Sequence, residues 1–405
     1  MLKGNAIVGQ SGGPTTVINA SLAGVIKGAF AADAIETIYG AVHGIEGVLG
    51  ENFVNLNERF ANPENLETLI HTPAAYLGSC RHKLPKEFDE TFAKIFDVFK
   101  KNNVAYFFYI GGNDSMDTVY KLSQYAKQID YPINIIGVPK TIDNDLAITD
   151  HTPGFGSAAK YIASSIREVA RDAQVYPSNT VTIIEIMGRN AGWLTAAAAL
   201  ATTDEESAPH LIYLPELPFD TDKFLADVEN VSKTHKNVVA VVSEGIKTKD
   251  GTYVCEGAAV DIVDSFGHKQ LSGTASVLSN LVHAKFGWKV RSIEFSLLQR
   301  CAAHIASLTD VTEAEQVGTA GVQAAVKGET GMMMYFDRVS ENPYKVEIKS
   351  YDISKIANVE RVVPREWINE EGNGILRPAL DYMLPLIQGE TGPKFENGLP
   401  VYLKR

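Results

Sequence analysis

Short runs of apolar and β-branched residues recur along the chain, separated by longer stretches of helical spacing. Asn5–Gly9, Ile35–Tyr39, Val104–Ile110, Ile133–Val138, Thr180–Ile186, Leu211–Leu214, Val238–Val242 and Val290–Ser296 are these short runs, several of them apolar on both alternating faces. A strand buried on both sides belongs in a parallel sheet with helices over each face. Pro14–Phe30, Glu87–Lys101, Ser115–Gln128, Ser157–Ala173, Asp220–Lys233 and Gly273–Phe286 carry apolar residues every three or four positions, which predicts helices. Strand and helix alternate, so the pattern predicts a doubly wound α/β architecture with parallel-rich sheets.

The rhythm weakens after about Asn342, where Pro, Asn and Gly become frequent, and the segment 341–405 reads as a surface extension. Pro and Gly in the loops between Asp150 and Gly156 suggest a domain boundary there. No repeat of fixed period and no low-complexity segment is visible, which excludes a solenoid.

The 405 residues correspond to about two or three domains of roughly 150 residues. With 37 Lys+Arg against 49 Asp+Glu the formal charge is −12, which opposes a nucleic-acid partner. A few cations in a cleft can still hold a small anion against that field. The three cysteines, Cys80, Cys255 and Cys301, form no CxxC pair, so neither a disulfide scaffold nor a structural zinc site is expected. A reducing cytoplasm fits this usage. The longest apolar run, Trp193–Ala201, is too short for a bilayer, and the start lacks a signal-peptide pattern. A soluble protein without a membrane partner is the expectation.

Ligands of open α/β sheets bind at the carboxyl ends of strands, and four loops there have unusual chemistry. Gly9-Gln10-Ser11-Gly12-Gly13-Pro14-Thr15 lets backbone N–H groups approach a phosphate at a helix start, with Pro14 suited to the first turn. A plain tight turn would use the same residues. Gly111-Gly112-Asn113-Asp114-Ser115 can offer backbone and Ser115 to phosphate oxygens and Asp114 to a metal or its waters, or it can be an ordinary helix cap. In Pro139-Lys140-Thr141-Ile142-Asp143-Asn144-Asp145, strand-like alternation puts Thr141, Asp143 and Asp145 on one face and Lys140 and Asn144 on the other. Two carboxylates beside a lysine suit proton removal from a hydroxyl while a phosphoryl charge is neutralised, although a solvated turn tolerates the same string. In Met187-Gly188-Arg189, Arg189 can hold a phosphate or sugar oxygen and Gly188 permits close backbone approach. Gly154-Phe155-Gly156 imitates a dinucleotide fingerprint but follows a polar loop where that fingerprint needs a strand. No P-loop, HExxH or protein-kinase pattern is present.

The order GGP, GGNDS, PKTIDND, MGR resembles the phosphofructokinase family, specifically its pyrophosphate-dependent branch, over about Ala6 to Gln299. The resemblance implies two Rossmann-like domains with the active site in the cleft between them. Residues 1–154, with part of 300–340, would take the donor, and 155–299 would take the sugar phosphate. It implies Mg²⁺-dependent phosphorylation of the 1-hydroxyl of fructose 6-phosphate by pyrophosphate, a reversible step of glycolysis and gluconeogenesis, and a homodimer or homotetramer.

By the same resemblance Asp143 is the general base, with Thr141, Ile142 and Asp145 as substrate-positioning neighbours. Met187, Gly188, Arg189 and Glu244 meet the sugar, Arg291 and Arg300 clamp the 6-phosphate, and Arg81 holds the transferring phosphoryl group. Gly12, Gly13, Gly112 and Ser115 take the donor, and Asp114 the metal. ATP-using relatives carry glycine where this chain has Asp114 and Lys140. A carboxylate at Asp114 would repel an α-phosphate, while the Lys140 ammonium can neutralise pyrophosphate. The usual metal-side aspartate of the family is Asn113 here. An ATP-dependent enzyme, a non-catalytic phosphosugar-binding subunit and, more weakly, a nucleotide-binding dehydrogenase are the alternative readings.

Overall fold

The computed structural model describes residues 2–204, 206–257, 271–356 and 359–405. Eleven strands form two sheets: β1 (Gly4–Gln10), β2 (Ile35–Ala41), β3 (Phe53–Asn55), β4 (Val104–Gly111), β5 (Asn134–Pro139), β6 (Thr180–Ile186), β7 (Leu211–Tyr213), β8 (Asn237–Ser243), β9 (Lys289–Glu294), β10 (Met332–Glu341) and β11 (Tyr344–Asp352). The larger sheet has the order β11-β10-β5-β4-β1-β2-β3, and the smaller one β7-β8-β6-β9. Pairing is parallel throughout the smaller sheet and from β10 to β2 in the larger. Only β3 and β11, at the two edges, run antiparallel to their neighbours.

Every residue of β4 and β6 is buried, as a strand covered on both faces requires. Helices Ile18–Phe30 and Leu308–Val326 cover one face of the larger sheet, and Glu90–Lys101 and Asn113–Gln128 the other. Phe155–Ala173 packs one face of the smaller sheet, while Thr221–Ser232 and Thr274–Phe286 pack the opposite face. Among the described residues no helix is long and apolar enough to cross a membrane.

Three features depart from the sequence reading. The first helix begins at Ile18, not Pro14, leaving residues 14–17 as part of the loop after β1. A Cβ at Gly154 would lie 2.7 Å from the Thr15 methyl, so that loop is fixed by close backbone packing. The helix Leu308–Val326 was not predicted, because Gly and Ala blur its periodicity. Those small residues let it approach the first helix so closely that a Cβ at Gly24 would fall 1.9 Å from the Glu315 carbonyl oxygen.

The third departure is the segment 341–405, which is no loose surface extension. Tyr344–Asp352 forms an edge strand of the larger sheet, and Val363, Ile368, Ala379, Met383 and Leu386 are buried in the core of the smaller one. The alternation in Tyr344-Lys345-Val346-Glu347-Ile348-Lys349 is a half-exposed antiparallel strand, a pattern unlike the all-apolar runs of the parallel strands.

A buried ionic cluster ties β10 to the loop after β5. His151 is 2% exposed, stacks on Phe336, and lies 2.8 Å from Asp150 and 2.7 Å from Glu313. Burial alone would depress its pKa, but Glu313 and Asp150 outweigh that and push it up to about 9. This is above the unfolded value of about 6.5, so the stabilisation is complete below that pH and is lost as pH climbs through 9. The melting temperature should therefore fall between pH 7 and 9.5, and the fall should be shallower in His151→Gln. Equal slopes in thermal melts of the two proteins would remove the imidazolium assignment.

Candidate active site

The carboxyl ends of the parallel strands from both sheets converge on a cleft of about 430 Å³. Gly12 and Gly13 follow β1, Gly112–Ser115 follow β4, Lys140–Asp145 follow β5, Met187–Ala191 follow β6, and Glu244 follows β8. Arg81, Arg300 and Glu360 complete its wall. In this lining Arg81, Lys140, Arg189 and Arg300 face Asp114, Asp143, Asp145, Glu244 and Glu360, which gives a strongly polar site inside an acidic chain.

The first two loops present backbone. Gly12 has φ +75, and a Cβ there would lie 3.3 Å from the Lys140 ammonium; one at Gly13 would lie 3.2 Å from Arg300 Nη1. The glycines thus bring main chain against two cations. The helix Asn113–Gln128 starts at Gly112 with no side-chain cap, which leaves first-turn N–H groups for a bound anion. Ser115 is 3% exposed, and Asp114 lies 3.8 Å from Lys83.

The third loop carries the most perturbed groups. Lys140, 3% exposed, donates to the Gly13 carbonyl at 2.7 Å. Burial, reinforced by Arg300 and Arg81 against the opposing pull of Asp143 and Asp145, brings its pKa down to about 8. Asp143 receives the Thr141 hydroxyl proton at 3.2 Å, and its own N–H donates back to Thr141 Oγ1 at 3.1 Å. Burial raises the Asp143 pKa, although Thr141, Lys140, Arg189 and Arg300 pull the other way. Burial, Asp143 and Glu360 push Asp145 up to about 7.

Strand-like alternation does not persist through this loop. Asn144 adopts φ +55, so Lys140, Asp143 and Asp145 all reach the cleft while Asn144 turns inward and is completely buried. Its amide donates to the Tyr382 hydroxyl at 2.9 Å and accepts from the Thr152 N–H at 3.0 Å.

On the opposite wall Gly188, at φ +136, donates its N–H to Glu244 at 3.2 Å and is also held by Ser243. Burial, with Asp143 and Glu185 nearby, raises the Glu244 pKa to about 7, against the Gly188 N–H and Arg189. The Gln299 side chain accepts from the Met187 N–H at 3.3 Å, so the turn before Arg300 positions the Met187 loop.

Most of the residues singled out in the sequence share this cleft. Arg291 does not: it sits midway along β9 opposite Thr182, 4.0 Å from Asp172 and over the Tyr176 ring. Arg300, expected at the 6-phosphate, lies centrally against Gly13. Gly154 and the adjoining helix start are occupied by Asp310, which accepts from the Gly154 and Ser157 N–H groups at 2.9 and 2.8 Å. That disposes of a dinucleotide phosphate at this place. Glu360 was missed, since an exposed carboxylate in an irregular segment carries no motif. It accepts from Asn190 Nδ2 at 3.0 Å and pairs in a bridge with Leu146.

The family model Phosphofructokinase matches residues 5–325. The chain is 42% identical to a pyrophosphate--fructose 6-phosphate 1-phosphotransferase of Methylococcus capsulatus, over 98% of this chain and 95% of that protein. It is 44% identical to one of Xanthomonas campestris, over 100% of this chain and 96% of the other. The crystal structure of a pyrophosphate-dependent phosphofructokinase from Marinobacter aquaeolei superposes with a TM-score of 0.89 at 40% identity, covering 99% of this chain and 96% of that one.

Proposed function

The chain belongs to the phosphofructokinase family, and we propose that its cleft carries reversible phosphoryl transfer from pyrophosphate to the 1-hydroxyl of fructose 6-phosphate. The products are fructose 1,6-bisphosphate and phosphate. The observation that carries the donor assignment is the presence of both Asp114 and buried Lys140 in the lining of the cleft, with Lys140 held against Gly13.

Asp143 takes the proton of the sugar 1-hydroxyl, whose oxygen attacks the terminal phosphorus in line as the phosphate leaves. Lys140, Arg81 and the N–H groups of Gly13 and Gly112 neutralise the transferring charge, Ser115 adds a hydroxyl, and Gly12, whose own N–H donates to the Cys80 carbonyl at 3.2 Å, lets the donor approach closely. Thr141, Ile142 and Asp145 position the acceptor. Met187, Gly188, Arg189 and Glu244 line the sugar side, and Arg300 lines the cleft with its Nη1 against Gly13. In this reading residues 1–154, with part of 300–340, form the donor half, and 155–299 the sugar-phosphate half.

Magnesium fits the donor end. Asn113 Oδ1 is buried without a hydrogen-bond partner, its amide nitrogen is 3.4 Å from Asp145, and Asp114 follows directly. Among the described residues no group of three or more His, Cys, Asp or Glu could hold a metal ion alone. A Mg²⁺ ion taking most of its ligands from water and pyrophosphate oxygens suits such a sparse set, and when bound it offsets phosphate charge. A cytoplasmic homodimer or homotetramer completes the proposal. Arg291 on the edge strand β9 and exposed Leu297 and Leu298 offer the smaller sheet's edge to a second copy.

Initial rates with fructose 6-phosphate and Mg²⁺ test this reading. Turnover is expected with pyrophosphate and little with ATP at equal concentration. Turnover with ATP alone would overturn the donor assignment; none with either would overturn the function.

A further inference from the structure

The segment 360–382 grips the loop between Asp143 and Asp150 from behind the cleft. The Arg361 N–H donates to the Asp145 carbonyl at 2.8 Å, and its guanidinium donates to the carbonyls of Thr149 and Asp150. The same guanidinium donates to the Tyr382 hydroxyl at 2.8 Å. Tyr382 also accepts from Asn144 at 2.9 Å and donates to the Asp150 carbonyl at 2.6 Å. One hydroxyl therefore links left-handed Asn144, near one end of the loop, to the Asp150 carbonyl at the other.

We propose that Tyr382, steadied by Arg361, is a positioning residue for phosphoryl transfer: by holding Asn144 in its left-handed turn it aims the Asp143 and Asp145 carboxylates into the cleft. The proposal rests on Asp143 as the base. Asn144 is the point of control. It sits between the two carboxylates, its φ of +55 is in the left-handed region that Asn adopts more readily than most residues with a side chain, and its buried amide has partners only if Tyr382 and Thr152 keep their places. A turn that relaxes swings both neighbouring carboxylates, and small misplacements of a reacting group cost large factors in rate.

The clamp also spans the cleft. The Arg361 carbonyl accepts from the Trp193 indole N–H at 3.0 Å, and its guanidinium lies 4.3 Å from the Trp193 ring centroid. Trp193 begins the short helix just after the Met187–Ala191 loop. The two walls that meet donor and sugar are thus tied to one short segment.

Tyr382→Phe keeps the ring and removes the hydroxyl. It is expected to lower kcat about tenfold while KM for either substrate changes less than about threefold. Asn144→Gly keeps the left-handed turn accessible, leaves the other Tyr382 bonds intact, and should lower kcat by a similar factor. Because the two share a contact, the double variant should be no worse than the weaker single variant.

Full kcat in Tyr382→Phe, or losses that multiply in the double variant, would overturn the proposal. If Tyr382→Phe fails to fold, full kcat in Asn144→Gly alone overturns it. The base assignment fails separately: an active Asp143→Ser sinks that reading, whereas an inactive Asp143→Ser beside a normal Tyr382→Phe sinks only the clamp.

Discussion

Asp143→Ser should lower turnover with pyrophosphate by roughly 10²–10⁴-fold, the usual range for a lost general base, with KM for fructose 6-phosphate nearly unchanged. The split follows from the geometry. Asp143 is the half-buried carboxylate between the cations of the glycine-loop end and the Gly188–Glu244 wall, and its oxygen is held by Thr141 at 3.2 Å. Arg189, Arg300 and Glu244 remain to bind the sugar phosphate when Asp143 is gone. Burial raises its pKa, so its conjugate acid is closer to neutral than an exposed aspartic acid and the carboxylate is a stronger base. Steady-state rates with both substrates varied are the check, and turnover within tenfold of the parent would exclude Asp143 as the base.

The second large effect concerns the donor. Asp114→Gly combined with Lys140→Gly should raise the ratio of kcat/KM for ATP over pyrophosphate by about a hundredfold or more. Asp114 lies in the first turn of the helix after β4 and faces the cleft, where a third phosphate and its ribose would have to pass a carboxylate. Like charges brought together in a partly desolvated site cost several kcal/mol, and each 1.4 kcal/mol is about tenfold. Lys140 acts in the opposite sense. Its ammonium is buried beside Gly12 and Gly13, with a pKa of about 8 that a bound anion would raise again. Removing it withdraws charge from pyrophosphate while making room for a longer chain. An unchanged ratio in competition assays would show that donor choice lies elsewhere in the cleft.

Much of this was legible in the sequence because the central parallel strands β1, β4, β5 and β6 are largely apolar runs, each ending in a loop that lines the cleft. The four loops at the ends of β1, β4, β5 and β6 therefore identified themselves by their glycines and charges. What stayed hidden was longer in range or smaller in signal. Asn144 broke the alternation assumed for Lys140 through Asp145, since a single left-handed residue rotates everything beyond it. Arg291 was assigned to the site by resemblance, but its position in the middle of β9 is a matter of register that only pairing with β6 reveals. Glu360 and Arg361 come from an irregular segment and Tyr382 from a short helix, and their partners around the cleft lie 168 to 238 residues earlier. No local pattern records such a contact.

That separation gives the protein a timetable. Asn144 and Tyr382 are 238 residues apart, so at about 5–20 residues per second a ribosome needs roughly 10–50 s to deliver the hydroxyl after the loop has emerged. During that interval β1, β4, β5 and the carboxylates exist, and the nascent chain can pair those strands, but the turn that aims Asp143 has nothing behind it. On the positioning proposed for Tyr382, the turn is held only once the segment 360–382 has been made and packed behind the loop.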